Sequence, residues 1–259
     1  PGANPEFRKQ MKEYVKVHGI GGDDGIFIAK TLHFTEAEWT ELVKASAEKI
    51  EVYEWGALWR ELEQRPYLLQ LPEVKKSMRR AVRVMAVESK FAVDLAEKMA
   101  RASGLAEGGT EALQEILKSM DAWTERHLKY LEMLSRLFTG EKNDALIKDR
   151  RLKWYEYTLE RNDAAAEKAA EIFKFTEREK YVPRQKVFRS VLSAGKFDRA
   201  KKIFELAMTE GGEQAEKDIE SWRSDFLAYL QKTWASNENV VRTQEGLRER
   251  LGIDRERYV

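Results

Sequence analysis

Between Val187 and Gly211 the chain runs VFRSVLSAGKFDRAKKIFELAMTEG, and no other stretch limits the fold so tightly. Phe188, Val191 and Leu192 make one apolar stripe, Gly195 interrupts it, and Phe197, Ala200, Ile203, Phe204, Ala207 and Met208 make a second that stops at Gly211-Gly212. Spacings of three and four are the helical period, so the stretch predicts two short amphipathic helices around a glycine turn. Such a hairpin cannot bury both stripes alone, and neighbouring helices must cover them. The same period continues in both directions, which predicts an all-α fold.

Composition narrows this further. With 42% hydrophobic and 35% charged residues and 5 prolines in 259 residues, the chain has the make-up of long solvated helices. No apolar run approaches the 18 or so residues of a membrane span. The opening PGANPEF lacks the apolar core of a signal peptide and reads like a cloning remnant joined to the native chain near Arg8. Cysteine is absent, which excludes disulfides, zinc-thiolate sites and cysteine nucleophiles. These features predict a soluble intracellular protein, of the cytoplasm or the mitochondrial matrix.

Along the chain, FRKQMKEYVK predicts a short helix over residues 8–17, and GIGGDDG after it a flexible connector. A phosphate loop would need a Lys-Ser/Thr at the helix start, and Asp23 and Asp24 would repel the anion. Thr35 and Glu38 form a capping box that starts a helix at Glu36. Its stripe of Trp39, Leu42, Val43, Ser46, Ile50, Tyr53, Ala57 and Leu58 carries it to about Gln64, before Arg65-Pro66. A second long helix runs from Pro72 to about Ser103-Gly104 on Val74, Met78, Ala81, Met85, Ala92, Ala96 and Met99. A third, capped by Thr110, spans Glu111 to Phe138 with Trp123 and His127 facing inward. Helices of this length predict an antiparallel long-helix bundle over residues 8–140, bounded by Thr139-Gly140. Shorter helices, near 142–161, 163–179, 184–194, 197–210, 213–235 and 240–250, predict a separate helical-hairpin repeat region over 141–259.

This second region resembles the tetratricopeptide and pentatricopeptide repeats, and the half-tetratricopeptide pattern of RNA-processing proteins. The resemblance rests on Pro183, Phe188, Val191, Leu192, Gly195-Lys196, Ala200, Ile203-Phe204-Glu205, Met208 and Gly211, with Trp154 and Tyr157 ahead of Ala169, Ile172 and Phe173, and Trp222 with Tyr229 following. The two Ile-Phe pairs stand 31 residues apart, near the period of about 34 in these families. The two imperfect copies cover roughly Leu152 to Leu230. The resemblance implies stacked helical hairpins that bind a macromolecule on their surface.

Chemistry is nearly silent. Three histidines lie too far apart to build a metal site, no nucleophile or kinase signature occurs, and neither a catalytic group nor a cofactor is expected. His127 reads as a packed core histidine. Charge is more informative, because a net of +1 hides segregation: nine basic residues against three acidic from Glu177 to Lys202, then seven acidic against two basic from Glu205 to Asp225. Lys75, Lys76, Arg79, Arg80 and Arg83 gather on one helix side, near a helix start where the dipole disfavours cations. In the repeat-like region Arg184, Lys186, Arg189, Lys196, Arg199 and Lys202 are the candidates for meeting phosphate. Trp59 and Trp234 are the candidates for exposed binding aromatics. The expected function is a non-enzymatic adaptor that binds another protein, with organellar RNA binding through the basic repeat surface as the alternative.

Overall fold

The computed structural model describes residues 4–88, 92–120, 125–210 and 212–234. Among them there are thirteen α-helices, three 3-10 turns and no strand. In order the helices are α1 Pro5–His18, α2 Asp23–Thr31, α3 Glu36–Ser46, α4 Trp55–Gln64, α5 Pro72–Glu88, α6 Val93–Ala102 and α7 Gly109–Ser119. They continue with α8 Glu125–Leu137, α9 Glu141–Leu159, α10 Asp163–Phe173, α11 Glu177–Ser193, α12 Phe197–Glu210 and α13 Gly212–Trp234. The fold is all-α. No described helix is long and apolar enough to cross a membrane. The chain divides into two compact units, the first ending at Ile147 and the second beginning at Lys148. The division falls inside α9, a few residues past the Thr139-Gly140 turn.

In the first unit none of the three expected long helices runs unbroken, and the side-chain phase shows why. Trp39, Leu42, Val43 and Ser46 are buried on α3, whereas Trp55, Leu58, Trp59 and Leu62 are buried on α4. In one continuous helix the nine residues from Ser46 to Trp55 would turn the stripe by about 180°. The chain breaks between them instead, and Tyr53, expected to face inward, stands 74% exposed. The second long helix breaks at Ala92, which is extended and exposed ahead of α6. The third leaves helical geometry at Met120, and Thr110 does not cap it, because α7 starts one residue earlier behind Gly108. Trp123 lies outside the described residues. His127 is buried, with a ring nitrogen 3.3 Å from the Val87 carbonyl.

The start of the chain also differs from expectation. The first helix begins at Pro5 rather than near residue 8, and Asn4 caps it by accepting from the Glu6 amide at 3.0 Å. Of GIGGDDG only residues 19–22 form a turn; Asp23, Asp24 and Gly25 belong to α2, and the two aspartates sit in its first turn, where the dipole favours anions.

In the second unit α11 packs against α12 and α13, and α12 against α13. The hairpin stripes are buried as pairing requires, and α13 covers them with Trp222 and Phe226. The Trp222 rings lie 4.7 Å from Phe188 and 5.7 Å from Phe204, and its indole N–H donates to the Tyr181 hydroxyl at 2.6 Å. The helix expected to begin at residue 184 begins seven residues earlier. A second capping box, with Thr176 Oγ1 accepting from the Glu179 amide and Glu179 accepting from the Thr176 amide at 2.9 Å, starts α11 and carries it through Pro183. The expected 240–250 helix lies outside the described residues.

One glycine fixes the entry to the first unit. A Cβ on Gly25 would sit 2.5 Å from the Gly19 carbonyl oxygen and 3.0 Å from the Ile20 Cα, both backbone atoms that cannot rotate away. Gly25→Ala is therefore expected to destabilise the protein by about 2 kcal/mol, as overpacking does. Urea denaturation of the two proteins measures it, and an unchanged midpoint would show that α2 shifts freely.

Candidate functional site

α5 places its five cations as the sequence predicts, on one side of a helix whose other side buries Val74, Met78, Ala81, Val82 and Met85. Their presence near a helix start has a specific cause: they serve the carboxyl ends of other helices. Arg79 donates from Nε to the carbonyl of Ser103, the residue that caps α6, at 2.8 Å. Arg80 donates to the carbonyls of Glu48 at 2.8 Å and Ile50 at 3.3 Å in the turn that closes α3. Those carbonyls lack helical partners and carry partial negative charge, so a guanidinium satisfies both deficits. Lys76 pairs with Glu48 at 3.0 Å and Arg83 with Glu115 at 2.8 Å. The Lys76 hydrogen bond holds the Glu48 carboxyl below its ordinary pKa. Among the described residues no carboxylate forms an ion pair with Lys75 or Arg79, and Arg80 meets the Glu48 carboxylate only through longer-range attraction.

These five cations line a groove of about 610 Å³, with Pro72, Gln70 and Val84 supplying its less polar wall. Arg80 and Val84 also line an adjoining depression of about 350 Å³ that holds Tyr53 and Ile50. The result is a basic trough beside a depression in which the exposed Tyr53 phenol stands among Glu48, Glu51 and Glu88. Sequence periodicity missed Tyr53 because it assumed a single helix across residues 36–64. Trp59, expected at the surface, is 7% exposed and belongs to the core of α4, so it is not a binding aromatic. The side chain of Trp234 lies outside the described residues.

In the second unit the phosphate candidates separate into two groups. Arg184, read as a surface cation, is fully buried. Its Nε donates to the Tyr155 hydroxyl at 3.1 Å and its Nη atoms to Glu210 at 2.5 Å, Glu167 at 3.1 Å and Glu177 at 3.4 Å. Lys180, also buried, pairs with Glu177 at 2.6 Å and Glu210 at 3.1 Å. Lys186 is held by Glu156, Arg189 by Asp225 at 2.5 Å, and Arg199 by Asp163 at 2.5 Å and by the final carbonyl of α9, that of Leu159. Of these candidates Lys196 and Lys202 are exposed with no ion pair among the described residues, as is Arg178 beside them. The region's basic excess is thus consumed largely inside the fold.

The Arg184 cluster joins α9, α10, α11 and α12 through two cations, three carboxylates and a phenol. Burial raises the Tyr155 phenol above its ordinary pKa and favours its neutral form. Burial works against the charged forms of Lys180 and Arg184, but their acceptors outweigh it and both are raised. Burial likewise opposes ionisation of Glu210, yet the Arg184 and Lys180 hydrogen bonds bring its carboxyl below the usual value. The Lys148 hydrogen bond, then the Thr176 amide, pull Glu179 down to about 2. The signal for this cluster was present in the sequence. With α11 starting at Glu177, residues 177, 180 and 184 fall on one helix face, an acid followed by two bases at spacings of three and four. Beginning the helix after Pro183 hid it.

Compared with protein-family models, curated proteins and solved structures, the chain matches none. Among the described residues no three His, Cys, Asp or Glu side chains converge as metal ligands.

Two outcomes follow for the cluster. Arg184→Ala leaves three carboxylates facing one lysine and is expected to cost about 3 kcal/mol, the lower range for breaking a buried pair, since the glutamates keep some water. Arg184→Lys should recover part of this, and thermal unfolding compares the three. Glu210 and Glu179 have depressed folded pKa values, so their contribution is complete above their ordinary value of 4.5 and is lost as pH falls through the folded values, that of Glu179 being about 2. Tyr-Trp fluorescence should show the second unit losing stability across that window, and Arg184→Ala should lose less.

Proposed function

We propose that the chain is a non-catalytic helical adaptor, and that the α5 groove binds an acidic segment of a protein partner. The observation that carries this is the trough itself, in which five cations meet two carboxylates and three of the five form no ion pair. Lys75 to Arg83 spans about 12 Å along the helix, and an extended peptide covers that length with about four residues. The partner feature that fits is therefore a short run of Asp or Glu, with an aromatic or aliphatic neighbour against Tyr53. Arginine and tyrosine are the side chains that most often dominate such interfaces.

RNA is the weaker reading for the second unit, because Arg184, Lys186, Arg189 and Arg199 already have acceptors within the fold. The groups with displaced pKa values there tie helices together, which supports a scaffold more than a reactive centre.

Fluorescence anisotropy with a labelled tetraglutamate peptide is the test, with oligouridylate as the competing probe. Lys75→Glu with Arg83→Glu leaves the helix-capping arginines intact and is expected to weaken the peptide by about tenfold or more. Tighter binding of oligouridylate, or peptide affinity indifferent to both charge reversals, would overturn the proposal.

A further inference from the structure

Among the described residues eight large apolar side chains are exposed, and four of them, Phe7, Tyr14, Val17 and Phe27, lie on the first two helices. Phe7, Met11, Tyr14 and His18 recur at four, three and four residues and share one face of α1, where the Tyr14 and His18 rings stack at 4.3 Å. Phe27 and Ile28 rise beside them from α2, and Met11, Tyr14, Asp24, Phe27 and Ile28 enclose a groove of about 260 Å³. Phe27 is 67% exposed although α2 has buried places at Ile26 and Ala29 on either side of it. An aromatic held out in this way beside a groove is the composition of an anchor site rather than of a solvated face.

The charges around the groove identify its occupant. Asp24 is part of the lining, and Glu6, Glu13 and Asp23 are exposed on the same two helices. Three of the four lysines and arginines of α1 are drawn elsewhere: Lys12 and Lys16 pair with Glu41 on α3, and Arg8 with Glu38 at 2.5 Å. The fourth, Lys9, is exposed but lies about 160° around the helix from Phe7, away from the groove. An apolar floor whose one charged lining residue is Asp24 favours a partner helix whose apolar side chains repeat every third or fourth residue and whose flanks carry lysine or arginine. A second copy of this face would bring like charges together.

We propose that α1 and α2 form a second docking surface, distinct from the basic trough on α5, that receives a basic amphipathic helix of another protein. The volume accommodates one or two large apolar side chains, with Asp24 placed to meet a cation beside them.

The experiment uses two labelled 14-residue helical peptides, one of leucine and lysine and one of leucine and glutamate, with the full chain. The lysine peptide is expected to bind and the glutamate peptide not. Phe27→Glu should weaken the lysine peptide by about tenfold or more, as loss of an interface anchor does. Asp24→Asn should weaken it less and flatten its salt dependence. Lys75→Glu on α5 should leave it unchanged, which separates this surface from the groove proposed above. Circular dichroism confirms that each variant keeps its helix content, and Phe27 is exposed enough for its substitution to do so. No binding of the lysine peptide, equal binding of both peptides, indifference to Phe27→Glu, or self-association of the chain that Phe27→Glu abolishes would each overturn the proposal.

Discussion

Arginine side chains binding the carboxyl ends of helices hold this molecule's short elements in place. Arg8 donates to the carbonyl of Leu32 at the end of α2, Arg79 to Ser103 at the end of α6, Arg80 to the turn after α3, and Arg199 to Leu159 at the end of α9. Each comes from a helix 24 to 40 positions away in sequence. A helix of nine to nineteen residues leaves four carbonyls unpaired at its end, a large share of its backbone. Glycine caps satisfy such carbonyls locally, but an arginine from elsewhere also fixes which helix lies beside which. The connection between capping and tertiary order explains why so many helix breaks coexist with an ordered core.

The same residues link the fold to its proposed role. An arginine that donates one or two of its N–H groups to a neighbouring carbonyl keeps its full charge and most of its donors. Arg79 and Arg80 therefore do structural work while leaving the α5 trough positive. Carboxylate partners would have neutralised it, as Asp163 does for Arg199.

The helical character and the Val187–Gly211 hairpin were legible because apolar spacing reports local geometry directly. The capping box at Thr35 was legible for the same reason. What periodicity could not report was phase across a break. Stripes on α3 and α4 both show spacings of three and four, and only the half-turn offset between Ser46 and Trp55 distinguishes two helices from one. The α5 cations were legible as a group, since a helix face is a local property. Their acceptors, Ser103, Glu48 and Ile50, were not, because tertiary neighbours are set by packing. Arg184 shows the cost of a single boundary: proline suggested a helix start, the Thr176 cap placed it earlier, and a residue expected at the surface became the most buried cation in the region.

Helical hairpin stacks ordinarily touch only their nearest neighbours, so they can open from one end, a hairpin at a time. The guanidinium of Arg184 works against that. Through one side chain it touches α9, α10 and α12 as well as its own helix, so that none of these four helices can peel away without stripping a buried charge of its acceptors. Residues 148 to 210 should accordingly exchange their amide protons in one cooperative event rather than in a gradient from the ends.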